Sequence, residues 1–145
     1  MIRDLRQIHD ALQQWASLNT AIKSFNCTIE QPVIEDRNYP MMALVIEDPE
    51  LMIGSAKLDF TIYFLDRLNA EKDNYVDVMS NMLILVENFM TSFFEMNWVD
   101  NKFTLEDKPY RVNKSQIPNV DGAIGWRCTF TIITPTPLYK VNVPV

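Results

Sequence analysis

Histidine is almost missing from this sequence. His9 is the only one, and nucleophilic catalysis usually needs such a base beside the nucleophile. Flanked by Ile8 and followed by Leu12, His9 reads as a helix-flank residue rather than a catalytic one. Glycine is scarce too: Gly54, Gly122 and Gly125 are the three present, too few and too scattered for a loop that cradles phosphate. The two cysteines, Cys27 and Cys128, show no CxxC spacing, and no second histidine could complete a zinc set. A disulfide between them requires neighbouring strands; without an export signal, buried free thiols are the favoured reading. Basic residues are outnumbered, 13 against 19, for a formal charge of −6, so the basic face expected of a nucleic-acid binder is lacking. The densest basic run, Lys108-Pro109-Tyr110-Arg111-Val112-Asn113-Lys114, reads as a solvated loop. The longest apolar run, Met41 to Ile46, falls far short of the roughly 20 residues that span a bilayer. The N-terminus enters an amphipathic pattern at once, with no apolar signal core. Synthesis in the cytoplasm with no membrane segment is the expectation, and no cofactor or metal is expected. The acidic loop Glu47-Asp48-Pro49-Glu50 lacks the alternating oxygen ligands and central glycine of a calcium loop, and carboxylate pairs in so acidic a chain discriminate nothing. No catalytic residue is assigned.

What is present is a folding pattern. A length of 145 residues suits one domain. Ile2, Leu5, Ile8, Leu12, Trp15, Ala16 and Ile22 recur at helical spacing and predict a helix over 2–22. Phe25, Cys27 and Ile29 alternate as a short strand stopped by Pro32. The segment 41–47 is apolar on both faces, as a strand covered on both sides would be. Lys57–Asp66 alternates with Leu58, Phe60, Ile62 and Phe64 inward. A helix over 74–96 carries Tyr75, Val78, Met79, Met82, Val86, Phe89, Met90 and Phe93 in one stripe, capped by Asp73 or Asn74; Leu83, Leu85 and Phe94 lie off it. Trp98, Phe103 and Leu105 open another strand group, 113–122 reads as a polar loop, and "GWRCTFTII" follows with Ile124, Trp126, Cys128, Phe130 and Ile132 on one face. The order α-β-β-β-α-β-β predicts an α+β fold, a mainly antiparallel sheet with two helices packed on one face. The domain spans 1–134, and the proline-rich residues 135–145 form an extended C-terminal arm.

Two features exceed what a plain monomer needs. Leu51, Met52 and Ile53 place three apolar residues in a connection, which either packs back on its own domain or reaches a neighbouring subunit, since exposed contiguous apolar groups mark contact sites. The arm carries Leu138, Tyr139, Val141 and Val143, more apolar than an unstructured tail usually is. These seven residues are the candidate subunit interface.

Taken together, "YPMMALVI" at 39–46, "KLDFTIYFLD" at 57–66, the amphipathic helix after it and the closing "DGAIGWRCTFTIITP" at 121–135 resemble the tail terminator (tail completion) and related head–tail connector neck proteins of tailed bacteriophages. The resemblance covers about residues 1–135. It implies a structural virion protein, not an enzyme, that assembles as a homo-oligomeric ring, a hexamer or dodecamer. Such a ring meets other neck, portal or tail proteins and surrounds a channel through which DNA passes without specific binding. The long arm departs from the compact family pattern and leaves terminator and neck-ring positions both open. The alternative from another class is a cytosolic α+β binding domain or small enzyme whose site spacing alone does not reveal.

Overall fold

A computed structural model describes residues 2–28, 38–95, 104–106, 108–116 and 122–135, with side chains at 5–27, 38–92, 106, 108–115 and 122–134. Its elements are α1 (Ile2–Leu18), β1 (Ser24–Thr28), β2 (Met41–Ile46), β3 (Glu50–Met52), β4 (Ser55–Arg67), α2 (Tyr75–Glu95), β5 (Thr104–Leu105), β6 (Val112–Gln116) and β7 (Ala123–Pro135). The fold is α+β in the expected order, with two short strands, β3 and β6, added in stretches that the sequence reads as connections. Phe93, Phe94, Trp98 and Phe103 lie outside the residues whose side chains are described.

Helix α1 stops four residues earlier than the apolar spacing suggests. The Asn19 N–H donates to the carbonyls of both Trp15 and Ala16, each at 3.2 Å, and its Oδ1 accepts from the Ala21 N–H at 3.0 Å. A short polar side chain thus offers the backbone a turn in place of the next helical bond. Ile22 packs against the core from beyond the helix end. At the start of α2, Asn74 holds the cap position, its carbonyl accepting from the Val78 N–H at 2.9 Å, but its side chain serves another end. Asn74 turns its side chain backwards, accepting from the Asn69 N–H at 2.9 Å and donating to the Arg67 carbonyl at 3.3 Å. It ties down the preceding loop.

Strands β4 and β7, 13 residues each, pair antiparallel along their whole length, from Ser55↔Pro135 to Arg67↔Ala123. The sheet runs β1-β2-β4-β7-β5, with β3 also on β4 and β6 also on β7. Only β1 and β2 pair in parallel; every other described pairing is antiparallel.

The period-two alternation sorts these strands cleanly. Met42, Leu44, Phe60, Ile62, Phe64, Cys128, Phe130 and Ile132 turn towards both helices and join Ile8, Leu12, Val78, Met82 and Phe89 in one core. Leu85, off the expected α2 stripe, is buried in this core, whereas Tyr75 at the stripe's start is 42% exposed. Phe89 sits at the centre. Trp15 meets its ring edge-on at 5.1 Å, as does Phe130 at 5.1 Å, the geometry aromatic quadrupoles favour. The opposite face has a second, smaller core of Met41, Ala43, Val45, Tyr63, Leu65 and Ala123, with Tyr39 packed against it. Strand β2 is therefore covered on both sides, which explains why its sequence does not alternate.

Strand β6 corrects the expectation of a polar loop over 113–122. Asn113 and Lys114 are exposed, Val112 is half-buried and Ser115 is buried. An edge strand can be held by its backbone ladder to β7 without an apolar face of its own.

Candidate functional site

Strands β3 and β4 form a tight hairpin, with Met52 paired to Ser55 across Ile53 and Gly54. Gly54 has φ +88°, a left-handed conformation that glycine adopts without steric cost. The turn points the apolar residues outwards: Leu51 is 74% exposed, Met52 50% and Ile53 91%. Ser55 pairs with Pro135 on its other side. Pro135, where the sequence places the start of the arm, therefore lies two strand spacings from Met52, about 10 Å. Leu51, Met52 and Ile53 and the root of the arm meet at one corner of the sheet. Leu138, Tyr139, Val141 and Val143 lie outside the described residues.

The sheet face away from the helices is divided. One end is the small apolar core; the other is a polar network. Lys57 Nζ donates to Glu106 Oε1 at 3.1 Å, and Lys108 Nζ lies 3.4 Å from Glu106 Oε2. Lys108 also donates to Thr131 Oγ1 at 2.8 Å, and Thr131 donates to Asp59 Oδ1 at 2.6 Å. Beside this chain Thr61 Oγ1 donates to Glu47 Oε1 at 2.9 Å, so at 2.9 Å it accepts from Thr129 Oγ1. The Lys57 ammonium holds the Glu106 carboxyl below its ordinary range, and Glu106 raises Lys57 in return. Every hydroxyl proton in these two chains has an acceptor. That arrangement suits a fixed surface better than proton transfer, which needs a group poised to change state.

No protein-family model matches the chain, and no curated protein matches its sequence. Among the described residues no three His, Cys, Asp or Glu side chains come together as metal ligands, and no helix is long and apolar enough to cross a membrane.

His9 and Cys27 share an open depression of about 360 Å³ with Leu5, Arg6 and Ile46. The His9 ring leans on Phe25 at 5.7 Å, and its Nδ1 lies 3.0 Å from Asp10 Oδ1. Partial burial raises the Cys27 thiol, the opposite of what an attacking thiolate requires. Cys128 is buried and pushed up to about 11 by desolvation. The register runs Cys27↔Leu44↔Ile62↔Cys128, so the thiols stand in line on one face with two strands between them. Three strand spacings are about 14 Å, twice the limit for a disulfide. Both cysteines are free; Cys128 is buried as expected, but Cys27, on the outer strand β1, is exposed. In the native protein Cys27 is expected to react with a thiol reagent while Cys128 reacts only on unfolding. Two thiols reacting at one rate would contradict this burial.

Burial also raises the Asp66 carboxyl, and Tyr110 is shifted too. Its phenol donates to the Glu106 carbonyl at 2.6 Å and the Thr131 carbonyl at 3.3 Å. Desolvation pushes its pKa up to about 12. The fold thus favours the neutral phenol; this contribution is complete below the ordinary tyrosine value near 10 and is lost as pH rises through 12. An absorbance titration should show a late phenol phase that is missing in Tyr110→Phe. A variant that keeps the late phase would show that another tyrosine carries it.

Sequence reasoning picked out the hairpin tip but missed the polar face. Thr61, Thr129 and Thr131 are unremarkable in sequence, and only the β4–β7 register brings them together.

Proposed function

We propose that this chain is a structural virion subunit that closes into a ring, a hexamer or dodecamer, at the head–tail junction of a tailed bacteriophage. As a tail terminator or neck ring it would join tail to head and surround the DNA channel. The observation that carries this reading is the exposed hairpin of Leu51, Met52 and Ile53 beside the root of the arm. Three large apolar side chains at one corner lose water only when another surface covers them. The charge of −6 supports a lumen that repels the DNA it passes. Partner neck, portal or tail proteins would take the ring's two flat sides. The rival reading, a binding domain or small enzyme, has other depressions open to it, such as the one lined by Asp59, Lys108, Tyr110 and Arg111; in the one beside His9, burial shifts the Cys27 thiol away from reactivity.

Light scattering over a wide concentration range, with negative-stain microscopy, tests the proposal. Annular particles of hexamer or dodecamer mass are expected. A monomer at every concentration would overturn it.

A further inference from the structure

Resting on the ring reading, we propose that neighbouring copies join head to tail through opposite margins of the sheet, the acidic margin at β3 of one copy against the basic margin at β6 of the next. The strand order sets these margins apart. Beyond the end of β2, β3 is the outermost described strand on the β4 side; β6 is outermost on the β7 side. Glu47, Asp48 and Glu50 are exposed at the first margin, and Arg111 and Lys114 at the second. Among the described residues none of these five forms an ion pair.

The signs decide which contacts are allowed. Charged residues on edge strands ordinarily keep sheets from pairing with one another. That protection works against like margins: acidic repels acidic and basic repels basic, so a two-fold pairing through either margin is disfavoured. Unlike margins attract, and juxtaposed opposite charge steers and orients association. Attraction between two different patches of the same molecule is a heterologous contact, the kind that generates rings when its rotation closes. The apolar tip lies on the acidic margin, so the same contact that pairs the charges covers Leu51 and Ile53. The margins are also offset. Glu50 is level with Lys57 and hence Ile133, whereas Asn113 is level with Arg127. Six residues along β7 correspond to roughly 20 Å. In a flat ring the line between the two patches lies in the plane, so the strands run obliquely to it.

Two charge-reversal variants test the pairing: Asp48→Lys with Glu50→Lys, and Arg111→Glu with Lys114→Glu. Each alone carries like charge on both margins and should weaken assembly by about tenfold or more. Mixed in equal amounts they should recover the wild-type particle mass, with native mass spectrometry showing the two variants in equal number. Wild-type assembly should weaken with added salt. If wild-type protein assembles and either variant does so equally well, or the mixture fails to recover, the margin pairing is wrong while the ring stands. Should a variant fail to fold, salt-insensitive wild-type assembly would reject the pairing by itself. A wild-type monomer would reject both.

Discussion

Replacing Leu51 and Ile53 together with aspartate is expected to leave a folded monomer. Both side chains are largely exposed in the single chain, so folding should change little; surface substitutions are usually worth within about 0.5 kcal/mol. Covered in a ring, each side chain would contribute about 1.5–3 kcal/mol through burial. Losing both weakens the contact by roughly a hundredfold to ten-thousandfold, at about 1.4 kcal/mol per factor of ten. Sedimentation or light scattering should therefore report monomer mass, with a thermal midpoint close to that of wild type. Assembly unchanged by the double substitution would show that the hairpin tip lies outside the contact.

Gly125→Ala is expected to destabilise the fold itself. A Cβ at this position would lie 1.9 Å from the Phe64 carbonyl oxygen, 2.9 Å from its carbon and 3.1 Å from the Leu65 Cα. All three are backbone atoms of β4 inside the continuous 13-residue pairing with β7. No side chain can swing away to make room, so the strands must separate locally and their ladder distorts. Overpacking that shifts backbone costs about 3 kcal/mol or more, which lowers the thermal midpoint of a chain this size by roughly 6–12 °C. Gly122→Ala is the matched control: nothing lies within 4 Å of the added methyl, but φ is +65°, so conformational strain of about 1–2 kcal/mol is the whole expected effect. Equal losses at the two positions would mean that the close strand approach at Gly125 is not what matters.

The two glycines also show where sequence patterns are informative. "AIGWRC" reads correctly as the opening of a strand, and Gly122 before it takes the left-handed conformation; Asp121 lies outside the described residues. Nothing in the pattern separates Gly125 from Gly122, because a close approach depends on which backbone lies opposite. Strands β4 and β7 were legible because each turns an unbroken series of alternate apolar residues, Leu58 to Phe64 and Ile124 to Ile132, into one core. Strand β6 was not. Its residues Val112-Asn113-Lys114-Ser115 carry little apolar alternation, and its place rests on backbone pairing that no side-chain pattern records. The tip residues stood out because three large apolar side chains beside a glycine conflict with an ordinary solvated turn.

The sequence by itself determined the α+β order, the inward faces of the long strands and the apolar tip, since these follow from local period and composition. Only the tertiary structure decided that Cys27 and Cys128 stand with two strands between them, that Thr131 links Lys108 to Asp59, and that Glu50 and Arg111 occupy opposite margins. The physical reason is common to all three. A strand's period tells which face a residue takes, but pairing order and register, set by long-range burial and ladder formation, tell which residues become its neighbours.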